Sequence, residues 1–178
     1  MRMEGNMTRK EHALSLFSHN SNCSQAVATP FAACMGFDKD AAHRLATGFG
    51  AGFAHEQQVC GAVTGGVFVI SSLFGNPEGR EFEKKAGTYD RTKEFLSYMK
   101  ERHSDIRCDR ILGRTLKTSD EWAQAREDGL FESICAKAVI SSVDYLEKLI
   151  RDEKENTRRC IGGFVGGGVG SHDLREPR

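Results

Sequence analysis

The chain has 178 residues, and its 25 Lys and Arg balance 25 Asp and Glu, so its formal net charge is zero. That length suits one domain with a real hydrophobic core and no need of disulfide staples. The even charge excludes the basic face that nucleic-acid binding requires and the basic amphipathic helix of a membrane-surface protein.

In chain order, Met1 to Lys10 carries charge with no apolar stretch behind it, so it does not read as a secretory signal. Thr8 to Phe17 reads as a first helix, with Thr8 as cap and Glu11 at the third position after it. His19 to Asn22 is a turn-and-cap cluster that leads into a second helix from Cys23. There Cys23, Ala26, Val27, Pro30, Phe31 and Cys34 recur at helical spacing, although Pro30 should kink or split the segment. Met35 to Asp38 ends it and caps a third helix, Asp38 to Thr47, with Ala41, Ala42, Leu45 and Ala46 inward. Gly48-Phe49-Gly50-Ala51-Gly52-Phe53 follows no strand and closes on no Lys-Ser/Thr pair. It reads as a tight turn beside close-packed helices rather than a phosphate loop.

Val59 to Ile70 is the most apolar run, and it reads as a buried central helix with Cys60 in its first turn. Gly61, Gly65 and Gly66 would let other backbones come close to that sulfur. The run to Phe74 is too short and too rich in Gly, Ser and Thr for a membrane span. Phe82 to Arg102 is a long amphipathic helix with Phe82, Tyr89, Phe95, Leu96 and Met99 at its apolar positions. Ser104 to Gly113 places Cys108 at the start of a helical turn, where the helix dipole should lower its pKa. Thr118 begins a short helix to Asp128, broken at Gly129. Phe131 to Ile150 is the last helix, with Cys135, Val139, Ser142, Val143, Leu146 and Ile150 in one stripe. No period-2 strand or internal repeat is present, and a Gly-rich run from Ile161 to Gly170 lies in a tail expected to be flexible. The fold class is therefore all-α. A single-domain helical bundle over 8–150 surrounds the Cys60 helix, with the tail over 151–178.

No two of the six cysteines show the two-residue gap of a redox pair or a zinc ribbon. Cys23, Cys60 and Cys135 each lie in an apolar helical face, however, and Cys108 stands just ahead of Ile111 and Leu112. A lone cysteine in such a place is most often a small core hydrophobe. Four of them on helices that must pack together point to a shared site. With no secretory signal, the chain is expected in the cytoplasm, where cysteines serve metal binding or redox chemistry more than structural bridges.

Asn22-Cys23-Ser24-Gln25-Ala26-Val27, Gly48-Phe49-Gly50-Ala51-Gly52, Cys60-Gly61-Ala62-Val63-Thr64-Gly65, and then Cys108 and Cys135, together resemble the C-GCAxxG-C-C family of small redox-active proteins. The resemblance covers roughly Lys10 to Ile150. The family label writes Gly-Cys-Ala where this chain has Cys-Gly-Ala. Membership implies a redox role in which Cys23, Cys60, Cys108 and Cys135 are the four characteristic cysteines. Cys34 and Cys160 fall outside that set, and Cys160 reads as an incidental exposed thiol. A more distant similarity to the N-terminal part of split-Soret cytochromes implies an iron–sulfur cluster. No Cys-x-x-Cys-His is present to attach haem covalently.

Three readings stay open. In the first, the four cysteines hold an iron–sulfur cluster for electron transfer, and Gly61 and Gly65 let it sit against backbone N–H groups. In the second, an oxidoreductase uses dithiol–disulfide exchange, with Cys60 attacking or pairing with Cys23, Cys108 or Cys135. Burial in an apolar run should raise the Cys60 pKa. In the third, a non-enzymatic helical module binds zinc structurally or merely packs its thiols. His43, His55 and His103 are candidate auxiliary ligands or acid–base groups, His55 foremost because it closely precedes Cys60. The expected partner is another redox protein, and the apolar share of helix surface suggests a homodimer.

Overall fold

The computed structural model describes residues 7–79 and 81–153, so the Gly-rich tail and Cys160 lie outside the described residues. Helix α1 (Arg9–Ser18) starts at a capping box: Thr8 Oγ1 accepts the Glu11 N–H, and the Glu11 carboxylate accepts the Thr8 N–H. Asn22 and Gln25 form the same reciprocal pair at the start of α2 (Cys23–Ala28). Pro30 then turns the chain through a 3-10 turn, Thr29–Phe31, before α3 (Ala32–Met35). Cys23 and Cys34 therefore lie on separate helices.

Gly36 in the left-handed region ends α3, and Asp38 caps α4 (Lys39–Leu45). The inward face of α4 is narrow and centred on Ala42 and Ala46, which puts position 45 to one side. Leu45, expected inward, is exposed for that reason. The Gly-rich stretch is the tight turn expected, Gly50–Phe53 (α5), and Ala51, Gly52 and Phe53 in it wind left-handed.

The centre of the molecule is α6 (Gly61–Phe74), with Cys60 at its cap and Val63, Val69 and Ile70 fully buried. It packs against α2, α7 (Phe82–His103) and α10 (Ala136–Asp152). Along α7 the buried stripe is Thr88, Phe95 and Met99, and the Phe95 ring fills the space over Gly66. Phe82 and Tyr89, expected inward, are exposed because each lies about a third of a turn round the helix from that stripe. Helix α10 buries the expected stripe, and Ser142 Oγ donates to the Ala62 carbonyl at 2.8 Å, fastening α10 to α6.

Between α7 and α10 come α8 (Cys108–Leu112), α9 (Ser119–Glu127) and a π-helical turn, Phe131–Cys135. They build a second, smaller apolar cluster of Leu112, Leu116, Ala125 and Cys135, against which Trp122 and Phe131 pack. Among the described residues the isolated extended pairing is an antiparallel bridge between Val59 and Arg107. None of the described helices is long and apolar enough to cross a membrane.

Candidate functional site

Cys23 is the first residue of α2, and small residues decide where it sits. The Asn22 side chain caps α2 through Oδ1 and donates from Nδ2 to the Thr47 carbonyl at 2.9 Å. It lies so close over Gly50 that a Cβ there would stand 2.2 Å from Asn22 Cγ. A Cβ on Gly61 would stand 3.1 Å from Cys23 Cβ, and one on Gly65 would stand 2.9 Å from the Ser24 carbonyl oxygen. The glycines of α6 thus seat α2 directly and bring Cys23 to the start of the helix that Cys60 caps.

Cys60 and Cys108 meet through the short bridge. The Cys60 N–H donates to the Ile106 carbonyl at 2.8 Å, and the Cys108 N–H donates to the Gln58 carbonyl at 2.6 Å. Positions one step either side of an antiparallel pair share a face. Two cysteines 48 positions apart in sequence are therefore delivered to one side of the Val59–Arg107 pair. Each also stands at the N-terminal end of a helix, Cys60 as the cap of α6 and Cys108 as the first residue of α8.

The left-handed segment lies between Cys23 and Cys108. Ala51, Gly52, Phe53, Ala54 and His55 have φ of 53°, 69°, 64°, 51° and 78°, and Gln57 has 50°. Only one of these is glycine, and the left-handed hand costs roughly 1–2 kcal/mol for each other L-residue. The turn is held by Ala54 N–H to the Gly50 carbonyl at 2.9 Å and Gln58 N–H to the Gly52 carbonyl at 3.0 Å. The buried Gln57 amide adds two bonds: Nε2 donates to the Arg114 carbonyl at 3.1 Å, and Oε1 accepts the Leu116 N–H at 2.6 Å. A Cβ on Gly52 would stand 2.8 Å from Cys108 Cβ, and the Ala51 backbone pulls against the rise in the Cys23 pKa.

Three of the thiols hold their protons well beyond the usual range. The neighbouring Cys135 thiol is the largest cause of the raised Cys23 pKa, and burial adds to it. Burial, followed by the nearby Cys23, pushes Cys60 from 9.0 to about 12, against the pull of the Ala62 and Val63 N–H groups. Cys108 is raised by burial first, then by Cys60 and Cys23. The expected lowering of the Cys108 pKa by its helix start is thus reversed. Burying an anion costs more than the partial charge of a five-residue helix returns. The expected rise at Cys60 is present.

The four thiols form a run of interacting groups: Cys23 with Cys135, Cys60 with Cys23, and Cys108 with both Cys60 and Cys23. Three of them, Cys23, Cys108 and Cys135, line an open cleft of about 360 Å³. Cys60 lies behind it and is buried. His55 reaches the cleft and stacks on Trp122 at 4.3 Å between ring centres, and Trp122 stacks on Phe131 at 5.9 Å. His43 and His103 stand elsewhere, paired with Thr29 and Ser141. Gly61 and Gly65 do not line the cleft, and neither does Cys34, whose sulfur accepts from Arg9 Nη2 at 3.4 Å. The sequence reading missed Trp122, Phe131 and Gln57. The signal for Trp122 was available, since it is the single tryptophan of the chain and lies on an otherwise polar helix.

Four thiols are the donor set that iron–sulfur clusters and zinc favour. As the side chains stand, no group of three or more His, Cys, Asp or Glu among the described residues is placed to hold a metal ion. Neither a curated protein nor a solved structure matches the chain. Residues 21–149 match the family model described as "Putative redox-active protein (C_GCAxxG_C_C)". That span holds all four interacting thiols, and the chain belongs to this family of redox-active proteins.

Proposed function

We propose that the protein is a two-electron thiol redox protein in which Cys23 and Cys135 alternate between a dithiol and a disulfide. The observation that carries this is the interaction of these two thiols on the wall of an open cleft. Oxidation breaks both S–H bonds and joins the sulfurs. Two electrons and two protons leave for an acceptor that the cleft admits. Cys135 and Cys23 both line the cleft, so either sulfur can meet the acceptor before the other closes the bond. In this reading the buried Cys60, whose pKa is raised in part by Cys23, exchanges with the resulting disulfide.

A second reading, a thiolate-ligated metal centre on Cys23, Cys60, Cys108 and Cys135, is favoured by one observation. The backbones of Ala51, Ala62 and Val63 pull against the rise in the Cys23 and Cys60 pKa values, as groups that stabilise thiolates do. One experiment separates the two. The protein is purified without oxygen, assayed for iron, sulfide and zinc, then oxidised with diamide and mapped by peptide mass spectrometry. The dithiol reading expects a Cys23–Cys135 cross-link that disappears in Cys135→Ser. Stoichiometric metal with no cross-link would overturn it in favour of the metal centre.

A further inference from the structure

We propose that the cleft beside Cys23 and Cys135 binds a small quinone and that this dithiol reduces it, a step that rests on the dithiol reading above. The walls carry the first part of the case. Trp122 and Phe131 pack in the same cluster as Cys135 and Cys23, so the ring surfaces and the sulfurs meet at one place. His55, Trp122 and Phe131 follow one another at interplanar angles of 29° and 30°. His55 stands exposed in this row, so a flat conjugated ligand entering the cleft can extend the stack from its imidazole. Arg126 lies exposed at the rim with its guanidinium over Phe131, where its N–H groups can reach a ligand carbonyl.

Size and stoichiometry carry the second part. A volume of about 360 Å³ lies near the small end of the range for ligand pockets, roughly 300–1,000 Å³, so it takes one or two fused rings. A quinone accepts two electrons and two protons, the number the thiol pair releases. Both S–H bonds break, the S–S bond forms, and the two carbonyl oxygens of the quinone become hydroxyls.

The test uses the full chain, reduced without oxygen, freed of reductant and titrated with 2,3-dimethyl-1,4-naphthoquinone. The filled ring positions of that compound block direct thiol addition. Trp122 is the only tryptophan, so its fluorescence reports occupancy. Saturable quenching is expected, with one hydroquinone formed per Cys23–Cys135 disulfide. Cys23→Ser should keep the quenching and yield no hydroquinone. Trp122→Leu, followed by equilibrium dialysis, and His55→Ala, which keeps the reporter and alters an exposed residue, should each weaken binding about tenfold. Unsaturable quenching, saturable quenching without hydroquinone in the unmodified chain, or unchanged affinity in both aromatic variants would each overturn the proposal. Diamide run in parallel tells the two failures apart. A Cys23–Cys135 disulfide formed by diamide but not by the quinone removes this inference alone, whereas failure with both removes the dithiol reading as well.

Discussion

Gln57 Oε1 accepts the backbone N–H of Leu116 at 2.6 Å, a buried bond between positions 59 residues apart. Together with Nε2 on the Arg114 carbonyl, it ties the left-handed turn to the segment that follows α8. Gln57→Leu keeps the bulk and removes the side-chain partner of both backbone groups. The expected cost is about 1–3 kcal/mol of unfolding free energy, since the buried Leu116 N–H is orphaned while water can reach the carbonyl of the exposed Arg114. Urea unfolding measures it, and Cys108 should become faster to alkylate. A change under about 0.5 kcal/mol would mean that water satisfies these groups.

Alkaline pH should destabilise the fold through Cys60. Its thiol ionises at about 12 in the native state against an ordinary value of 9.0. Between those values the unfolded chain binds fewer protons than the native one, so stability falls as pH rises. Below that window the contribution is fully present. At about 1.4 kcal/mol per unit, the loss across the window approaches roughly 4 kcal/mol. Urea midpoints from pH 8 to 11 should drop more steeply for the unmodified protein than for Cys60→Ala. Equal slopes would refute the assignment.

Gly61→Ala and Gly66→Ala form a matched pair. A Cβ at 61 would crowd Cys23 Cβ at 3.1 Å and the Phe49 carbonyl oxygen at 3.2 Å, whereas one at 66 would meet the Phe95 ring at 2.3 Å. Both should lose about 1–3 kcal/mol through overpacking. Only Gly61→Ala should also slow formation of the Cys23–Cys135 cross-link, because it pushes α2 away from α6. If both variants oxidise at the rate of the unmodified protein, the seating of Cys23 on Gly61 has no bearing on the chemistry.

Ser24→Ala should be neutral or stabilising by up to about 1 kcal/mol. The Ser24 hydroxyl is fully buried and has no hydrogen-bond partner among the described residues. Removing a buried polar atom that makes no bond removes a desolvation cost. Thermal unfolding of the two proteins side by side is sufficient, and a fall of more than 1 kcal/mol would reveal a partner.

The helix starts were readable because each depends on a few adjacent residues. Thr8, Asn22, Asp38 and Thr118 all cap as their side chains suggest, and Pro30 splits its segment. The α10 stripe was readable for the same reason, a regular period over many turns. Leu45, Phe82 and Tyr89 were misplaced because periodicity indicates that a face exists without fixing how wide its neighbour is. The pairing of Cys60 with Cys108 depends on one bridge across 48 positions, which leaves no repeating trace. The hand of the 51–55 turn was also hidden, since alanine, phenylalanine and histidine give no cue for it, and the glycines announced only tightness. The Cys108 pKa was misjudged because a local helix start is visible in sequence and the depth of burial is not.

The contrary winding of Ala51 to His55 has a bearing on how the molecule comes together. Each alanine there would, on its own, take the opposite hand, so no short fragment can rehearse this shape before its surroundings exist. The segment acquires its form only when the caps at Asn22 and Cys60 and the partners of Gln57 have closed around it. Cys23 and Cys108, which flank the segment, are therefore held in place by its surroundings rather than by any preference of its own residues.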